Sequence, residues 1–416
     1  MIKLTKTRIG IVLATALLLL GSGAGAQSLT LEQIVRQALA TSPAIRSKRA
    51  SAGAAKADLE GAVWQRYATP SLEANRDNDG VRTTLLRVQQ PLWAGGRIDA
   101  GIDAATAREQ AAQSAIEEAR QDTVLKIIAA YVEATRQQAN QETLARGVAQ
   151  HEELLALIGR RVAQDASPRV DQDLAQSRLY EASNELSTVR QALANALAQL
   201  RELAGMPVQQ VAPLGQDGSL AQPDRAQLLA QALARSPTLR RLEFEAAAAQ
   251  AEVELRRASY KPQLSLRLEN ARSSGPLNGV PAYSTSRVLL VLEAQTGAGL
   301  SALSGLDAAL ARQDAAQQQR EAAVRDLRER LSVDCNEWQF AQERLDNARR
   351  ASAVASEVHA SYTRQYTAGK KGWLDVLNAV RESTQSDMAA ANASAQASAA
   401  ALRLQVLGGN LKGLFE

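Results

Sequence analysis

Gln37-Ala38-Leu39-Ala40-Thr41-Ser42-Pro43-Ala44-Ile45-Arg46 returns 194 residues later as Gln231-Ala232-Leu233-Ala234-Arg235-Ser236-Pro237-Thr238-Leu239-Arg240. Each copy leads through a helical stretch to a proline that enters an alternating segment, Pro70-Ser71-Leu72-Glu73 in one half and Pro262-Gln263-Leu264-Ser265 in the other. Further on, Leu85-Leu86-Arg87-Val88 corresponds to Leu289-Leu290-Val291-Leu292, and Ala94-Gly95 to Ala298-Gly299, both 204 residues apart. The offset grows in the connection between paired strands. That connection is short around Asp77 to Gly80 and long and Gly/Pro/Ser-rich from Ser273 to Ser286. Solenoid repeats have periods of ~20–50 residues, so a period near two hundred means a duplicated half-molecule. The expected organisation is residues 1–26 as an export signal, 27–220 as the first structural repeat and 221–416 as the second.

The signal reading rests on three cations, Lys3, Lys6 and Arg8, followed by an apolar run from Ile9 to Leu20 and the small residues Ala24-Gly25-Ala26. A membrane anchor needs ~20 apolar residues, more than this run supplies. The one cysteine, Cys335, lies far from that run, so a lipidated N-terminus is not expected. The formal charge of +4 falls to +1 once those three cations are set aside, and nucleic acid is not an expected partner. One cysteine cannot form an intrachain disulfide, and two histidines, His151 and His359, leave little for a metal site. No Ser/His/Asp, HExxH or CxxC arrangement is present, and Gly95-Gly96 and Gly297-Ala298-Gly299 lack the context of a phosphate loop. The chain is therefore read as no enzyme, with no cofactor and no metal.

Each half carries two strands. Leu264, Leu266 and Leu268 alternate with Ser265, Arg267 and Glu269, while Leu86 and Val88 alternate with Arg87 and Gln89. An apolar face opposite a polar one suits a half-buried sheet or a lipid-facing barrel wall. The helices separate these two. Ile98 to about Gln164 has no proline, and ~65 residues at ~1.5 Å each make a rod near 100 Å, several times an ordinary globular helix. Leu144, Val148, His151, Leu155, Ile158 and Val162 are spaced by three and four, a heptad seam in which His151 packs between helices. Ile116, Arg120, Thr123, Ile127, Ala130 and Ala134 continue the register upstream. A second rod runs from about Val170 to Ala204, and the other half repeats the pair from Leu300 to about Gln365 and from Leu374 to about Leu407. Cys335 falls inside one of these helices and is read as inert packing.

Four strands cannot close a membrane barrel, because the smallest have about eight. Two copies would give about eight strands with a filled lumen, and three about twelve with room for a pore. The fold class expected is thus mostly α with a small β part, the strands pooled among copies and continued by an α-helical barrel.

On these features the chain resembles the TolC family of trimeric outer-membrane channels over nearly the whole mature length. The resemblance is carried by the two Ser-Pro segments, the strand exit Val88 to Gly96, and above all the stretches Arg160–Ala175 and Arg364–Ala379, which resemble the family's two hairpin turns. It implies a homotrimer in outer-membrane lipid, with the helices in the periplasm. The partners it implies are a periplasmic adaptor and an inner-membrane ABC transporter. In the family, acidic residues on the inner hairpin ring the constriction. Asp375 matches such a position, and Asn378 falls where some members carry a second aspartate. Tyr366 and Lys371 match residues that tie neighbouring hairpins shut, with Asp171 as the acceptor on the first hairpin. Lysine in place of arginine loses the bidentate fork. The plainer reading of Asp375 is an N-cap of the following helix. Trp93, just past a strand at the membrane–helix junction, is read as an interfacial anchor. The segments Gln90–Ala105, Ser167–Leu179 and Gly372–Glu382 are similar to the agglutination-protein or LapE-like branch, which implies a type I secretion duct for unfolded protein such as a large adhesin. The alternative within the family is the outer-membrane component of a drug-efflux pump. Outside it, the competing reading is a periplasmic coiled coil that tethers envelope layers.

Overall fold

A computed structural model describes residues 28–78, 81–214, 224–274, 282–294 and 301–409. The proposed signal segment, the 220/221 boundary between repeats and the Gly297-Ala298-Gly299 swerve lie outside these residues. The element order is α1 (Leu31–Thr41), α2 (Pro43–Trp64), β1 (Thr69–Arg76), β2 (Arg82–Trp93), α3 (Arg97–Ala163), α4 (Arg169–Ala204), then α5 (Arg225–Arg235), α6 (Pro237–Ala258), β3 (Gln263–Ser274), β4 (Tyr283–Glu293), α7 (Ser301–Thr367) and α8 (Trp373–Leu407). Helix–helix–strand–strand–helix–helix thus occurs twice.

The two Ser-Pro pairs break one helix and start the next. Pro43 and Pro237 stand at the first turn of α2 and α6, where a missing N–H costs nothing and the fixed φ suits the helix. Ser236 caps α6 by accepting from the Leu239 N–H at 3.3 Å, whereas Ser42 makes no such bond. At the other end of the strands, Gly95 and Gly96 adopt φ of 63° and 91°. A Cβ on Gly95 would sit 2.6 Å from the Lys261 Cβ, so the swerve from β2 into α3 needs glycine.

β1, β2, β3 and β4 form one antiparallel sheet in that order, with β2 of the first repeat paired to β3 of the second and both edges open. Leu72, Leu86, Leu268, Val288, Leu290 and Leu292 share one face and are all exposed. The other face is polar and curls around a hollow of about 540 Å³ lined by Thr69, Ser71, Arg87, Gln89, Gln263, Ser265 and Glu293. On that face Glu269 accepts from Arg87 at 3.0 Å. The second connection is shorter than the expected Ser273–Ser286 loop. Ser273 pairs with Tyr283 and Arg272 with Ser284, so the strands run on through residues with no visible apolar alternation.

α3 and α7 are each 67 residues, ~100 Å at ~1.5 Å per residue. α3 packs on α4, α2, α6 and α8, and α7 on α8 and α6. The largest core lies midway along the rods, where Ile34, Val35 and Ala38 of α1 meet Val124, Ile127, Ile128 and Tyr131 of α3 and Leu200 and Ala204 of α4. Burial of each large aliphatic chain contributes about 1.5–3 kcal/mol. Tyr131 donates to the Ala212 carbonyl at 2.6 Å, and burial pushes its pKa up to about 12. Cys335 is buried in α7 among Leu331, Trp338 and Leu404, as packing requires. No helix among the described residues is long and apolar enough to cross a membrane.

Candidate functional site: the paired hairpin tips

The α3–α4 and α7–α8 hairpins end side by side. In the first, the Ala166 N–H donates to the Arg161 carbonyl at 2.8 Å; in the second, the Lys370 N–H donates to that of Gln365, also at 2.8 Å. Both are the six-to-one bond that closes a helix C-terminus over a left-handed residue. That residue is Asp165 (φ 57°) in one tip and Gly369 (φ 72°) in the other.

Beneath the turns a shared core forms from Leu154 and Ile158 of α3, Ala175 of α4, Tyr366 of α7, and Trp373, Val376, Leu377 and Val380 of α8. Trp373 clamps the two hairpins: its indole Nε1 donates to the Asp171 carbonyl oxygen at 3.2 Å while its ring packs on Tyr366 at 5.4 Å. The Arg161 guanidinium covers the Tyr366 ring at 4.5 Å. Lys371 lies 4.1 Å over the Tyr362 ring and 3.8 Å from the Asp375 carboxylate.

Asp375 is the third residue of α8, not its cap. The N-cap is Gly372, whose N–H donates to Asp375 Oδ2 at 3.3 Å. Glycine has no side chain to return the bond, so this is one half of a capping box, and the carboxylate also complements the helix dipole. Asn378 is exposed one turn on, on the same side of α8. The structure therefore brings Lys371 and Asp375 together on one turn. Asp171 joins the tip through its backbone. Tyr366 is only 4% exposed, and its hydroxyl is buried without a hydrogen-bond partner among the described residues. Trp93 stands at the opposite end of the rods, 51% exposed, where a register shift after Pro91 sets it opposite Leu264. Trp373, Arg161 and Tyr362 were not singled out from sequence. The available signal was Trp373 itself, one of four tryptophans in the chain, placed directly after a glycine turn.

Twelve residues back along α3 from its end at Ala163, His151 is buried beside Arg178 and Glu181 of α4, with Thr384 and Arg381 of α8 lining the same small hollow. Its Nδ1 has no partner among the described residues. Burial, aided by Arg178, holds its pKa below the usual histidine value. Among the described residues no group of His, Cys, Asp and Glu could hold a metal ion.

A family model described as outer membrane efflux protein matches residues 34–206 and again 228–410, two segments that begin 194 residues apart. The chain belongs to this family of outer-membrane channel proteins. Its own sequence is 28% identical to Protein CyaE of Bordetella pertussis over 277 residues, 62% of this chain and 58% of that protein. Among solved structures it is similar to CusC (TM-score 0.79, 16% identity, 91% of each chain) and to VceC of Vibrio cholerae (0.78, 19%, 91% of this chain and 96% of the other). It is similar too to the open state of the MtrE channel of Neisseria gonorrhoeae (0.76, 18%, 92% and 89%). These likenesses establish the fold: a small antiparallel sheet continued by a long helical barrel.

Proposed function

We propose that three copies of this chain close their sheets into one twelve-stranded barrel and form a passive exit duct of a type I secretion system. An inner-membrane ABC transporter and a periplasmic adaptor would supply the energy and the connection. The observation that carries this is the sheet. Both edges are open, one face is apolar and exposed, and the other lines a polar hollow. Such a sheet is complete only when neighbouring copies pair with its edges and lipid meets its outer face. Trp93 would then sit at the periplasmic rim as an anchor.

In this reading the hairpin tips close the periplasmic end. The exposed Asp375 and Asn378 line the constriction, Lys371 and Asp171 set contacts between hairpins, and Tyr366 holds its hairpin closed through packing. The wording of Gln90–Ala105, Ser167–Leu179 and Gly372–Glu382 favours unfolded protein, a large adhesin, as cargo. Efflux of small molecules is the second reading, favoured by the description of the family whose model matches both halves. A deletion strain scored for surface adhesin and for drug susceptibility separates them. Secretion predicts loss of the adhesin with unchanged susceptibility; the reverse result overturns it in favour of efflux.

A further inference from the structure

The polar face of the sheet gathers arginine at its middle. One rung runs through Ser71, Arg87, Glu269 and Arg287 across all four strands. The Glu269 side chain, only 10% exposed, lies between two guanidinium groups, 3.0 Å from Arg87 Nε and 3.9 Å from Arg287 Nη2. Two residues along β3, Arg267 pairs with Gln89 and donates to its side-chain carbonyl at 3.2 Å. The Arg267 Nε is buried and has no hydrogen-bond partner among the described residues. Three arginines thus stand within two rungs of one fixed glutamate.

The other charges on this face do not cancel them. Glu73 of β1, opposite Leu85, accepts from the Asn75 amide at 2.8 Å and brings the acids at this level to two against three arginines. Glu293 and Arg97 line the hollow at the inner end of the strands and balance each other in charge. Asp77 and Asp79 fall between Arg76 and Arg82, and Arg82 is five residues from Arg87, ~16 Å at ~3.3 Å each. Residues 275–281 and 295–300 contain no Asp or Glu. Each copy therefore contributes +1 (3 − 2) at this level, and a low-dielectric wall around a lumen focuses that charge. We propose that Arg87, Arg267 and Arg287 form a cationic girdle inside the barrel that engages the carboxylates of an acidic unfolded polypeptide as it leaves. Guanidinium forks suit carboxylates, and the Arg287 side chain, 59% exposed, is open to one. The inference rests on the reading of the chain as an exit duct for unfolded protein.

The test is the current through many channels of the purified protein in a planar bilayer, with a short oligoglutamate peptide on the barrel side. Polar rods of ~100 Å do not cross a bilayer, so protein added to one chamber presents its barrel mouth to the other. The wild type is expected to be blocked by oligoglutamate and not by oligolysine of equal length. The block should fade in ~1 M salt, where the screening length is ~3 Å. Each of Arg87→Gln, Arg267→Gln and Arg287→Gln should weaken it about fivefold. The triple Arg→Lys variant should keep most of it, and Arg272→Gln, on the apolar face, should leave it unchanged. Glu269→Gln should strengthen it, whereas a mere brace between strands would lose nothing or weaken whichever partner is removed. A wild type blocked equally by both peptides or by neither, an undiminished block in the three glutamine variants, or a block weakened by Glu269→Gln overturns the girdle and leaves the barrel standing. A protein that makes no pores removes the barrel and the girdle with it.

Discussion

The two hairpin tips have the same backbone and different chemistry. Each closes with the same six-to-one hydrogen bond over a left-handed residue, but α3–α4 places Asp165 there and α7–α8 places Gly369. The first tip thus carries the strain of a side chain in a left-handed conformation, while the second is relaxed at that point. The second instead holds nearly all of the specific side-chain contacts: Tyr366, Lys371, Trp373 and Asp375. Duplication supplied two equivalent turns, and one of them became the clamp. Its hold on the other hairpin is the indole bond to the Asp171 backbone, the Arg161 guanidinium over Tyr366 and the core shared with Leu154, Ile158 and Ala175.

The largest effect is expected from removing that hold. Trp373→Ala should lower stability by about 3–5 kcal/mol, the usual cost of deleting a buried aromatic. Val170→Ala in the first turn of α4, at a 69% exposed position, should stay within about 0.5 kcal/mol. Thermal unfolding of both variants checks this, and equal shifts would mean the clamp is not where the energy lies. Next in size are the turn residues. Gly369→Ala should cost about 1–2 kcal/mol, and Asp165→Gly should stabilise by about 1 kcal/mol, because only the first forces a side chain into the left-handed region. Denaturant midpoints of the pair sharpen the comparison, and it breaks if both substitutions act in the same direction.

Much of this was legible in the sequence, for physical reasons. A duplication preserves the Ser-Pro breaks, and heptads without proline specify long helices whatever surrounds them. The outer ends of β3 and β4 were not legible, because Ala271 to Ser274 and Tyr283 to Ser286 are short and polar and show no apolar alternation. The tip was legible only in part. Asp375 could be placed at a helix start, but whether it caps at the first or third position depends on where the chain turns at Gly372. Trp373 could not be matched to its partner, since that partner is a backbone carbonyl 202 residues away.

Tyr366 carries a smaller prediction. Its hydroxyl is buried and unpartnered, so Tyr366→Phe should change stability by no more than about 1 kcal/mol and leave conductance unaltered. Tyr366→Ala should loosen the tip, and a Phe variant as open as the Ala variant would show that the hydroxyl, not the packing, holds the hairpin. The smallest effect concerns acid. His151 is held below its ordinary value of 6.5 in the folded chain, so between that value and the folded one the unfolded chain binds the extra proton. Stability of the lower helices should therefore fall as pH drops below 6.5. The protonated ring would face Arg178 and Arg381, with Glu181 the compensating acid and His359 close by on α7. Hydrogen exchange near the tip, compared between wild type and His151→Gln, should show an acid-induced rise in the wild type alone.

In the proposed function this chain forms a duct shut at its tips by the α7–α8 hairpin. Single-channel recording of the purified protein beside Asp375→Ala/Lys371→Ala tests it most directly. The prediction is a low-conductance wild-type pore and a variant that conducts several-fold more or opens more often. A wild type that forms no pores, or a variant with the wild-type conductance and open time, would contradict it.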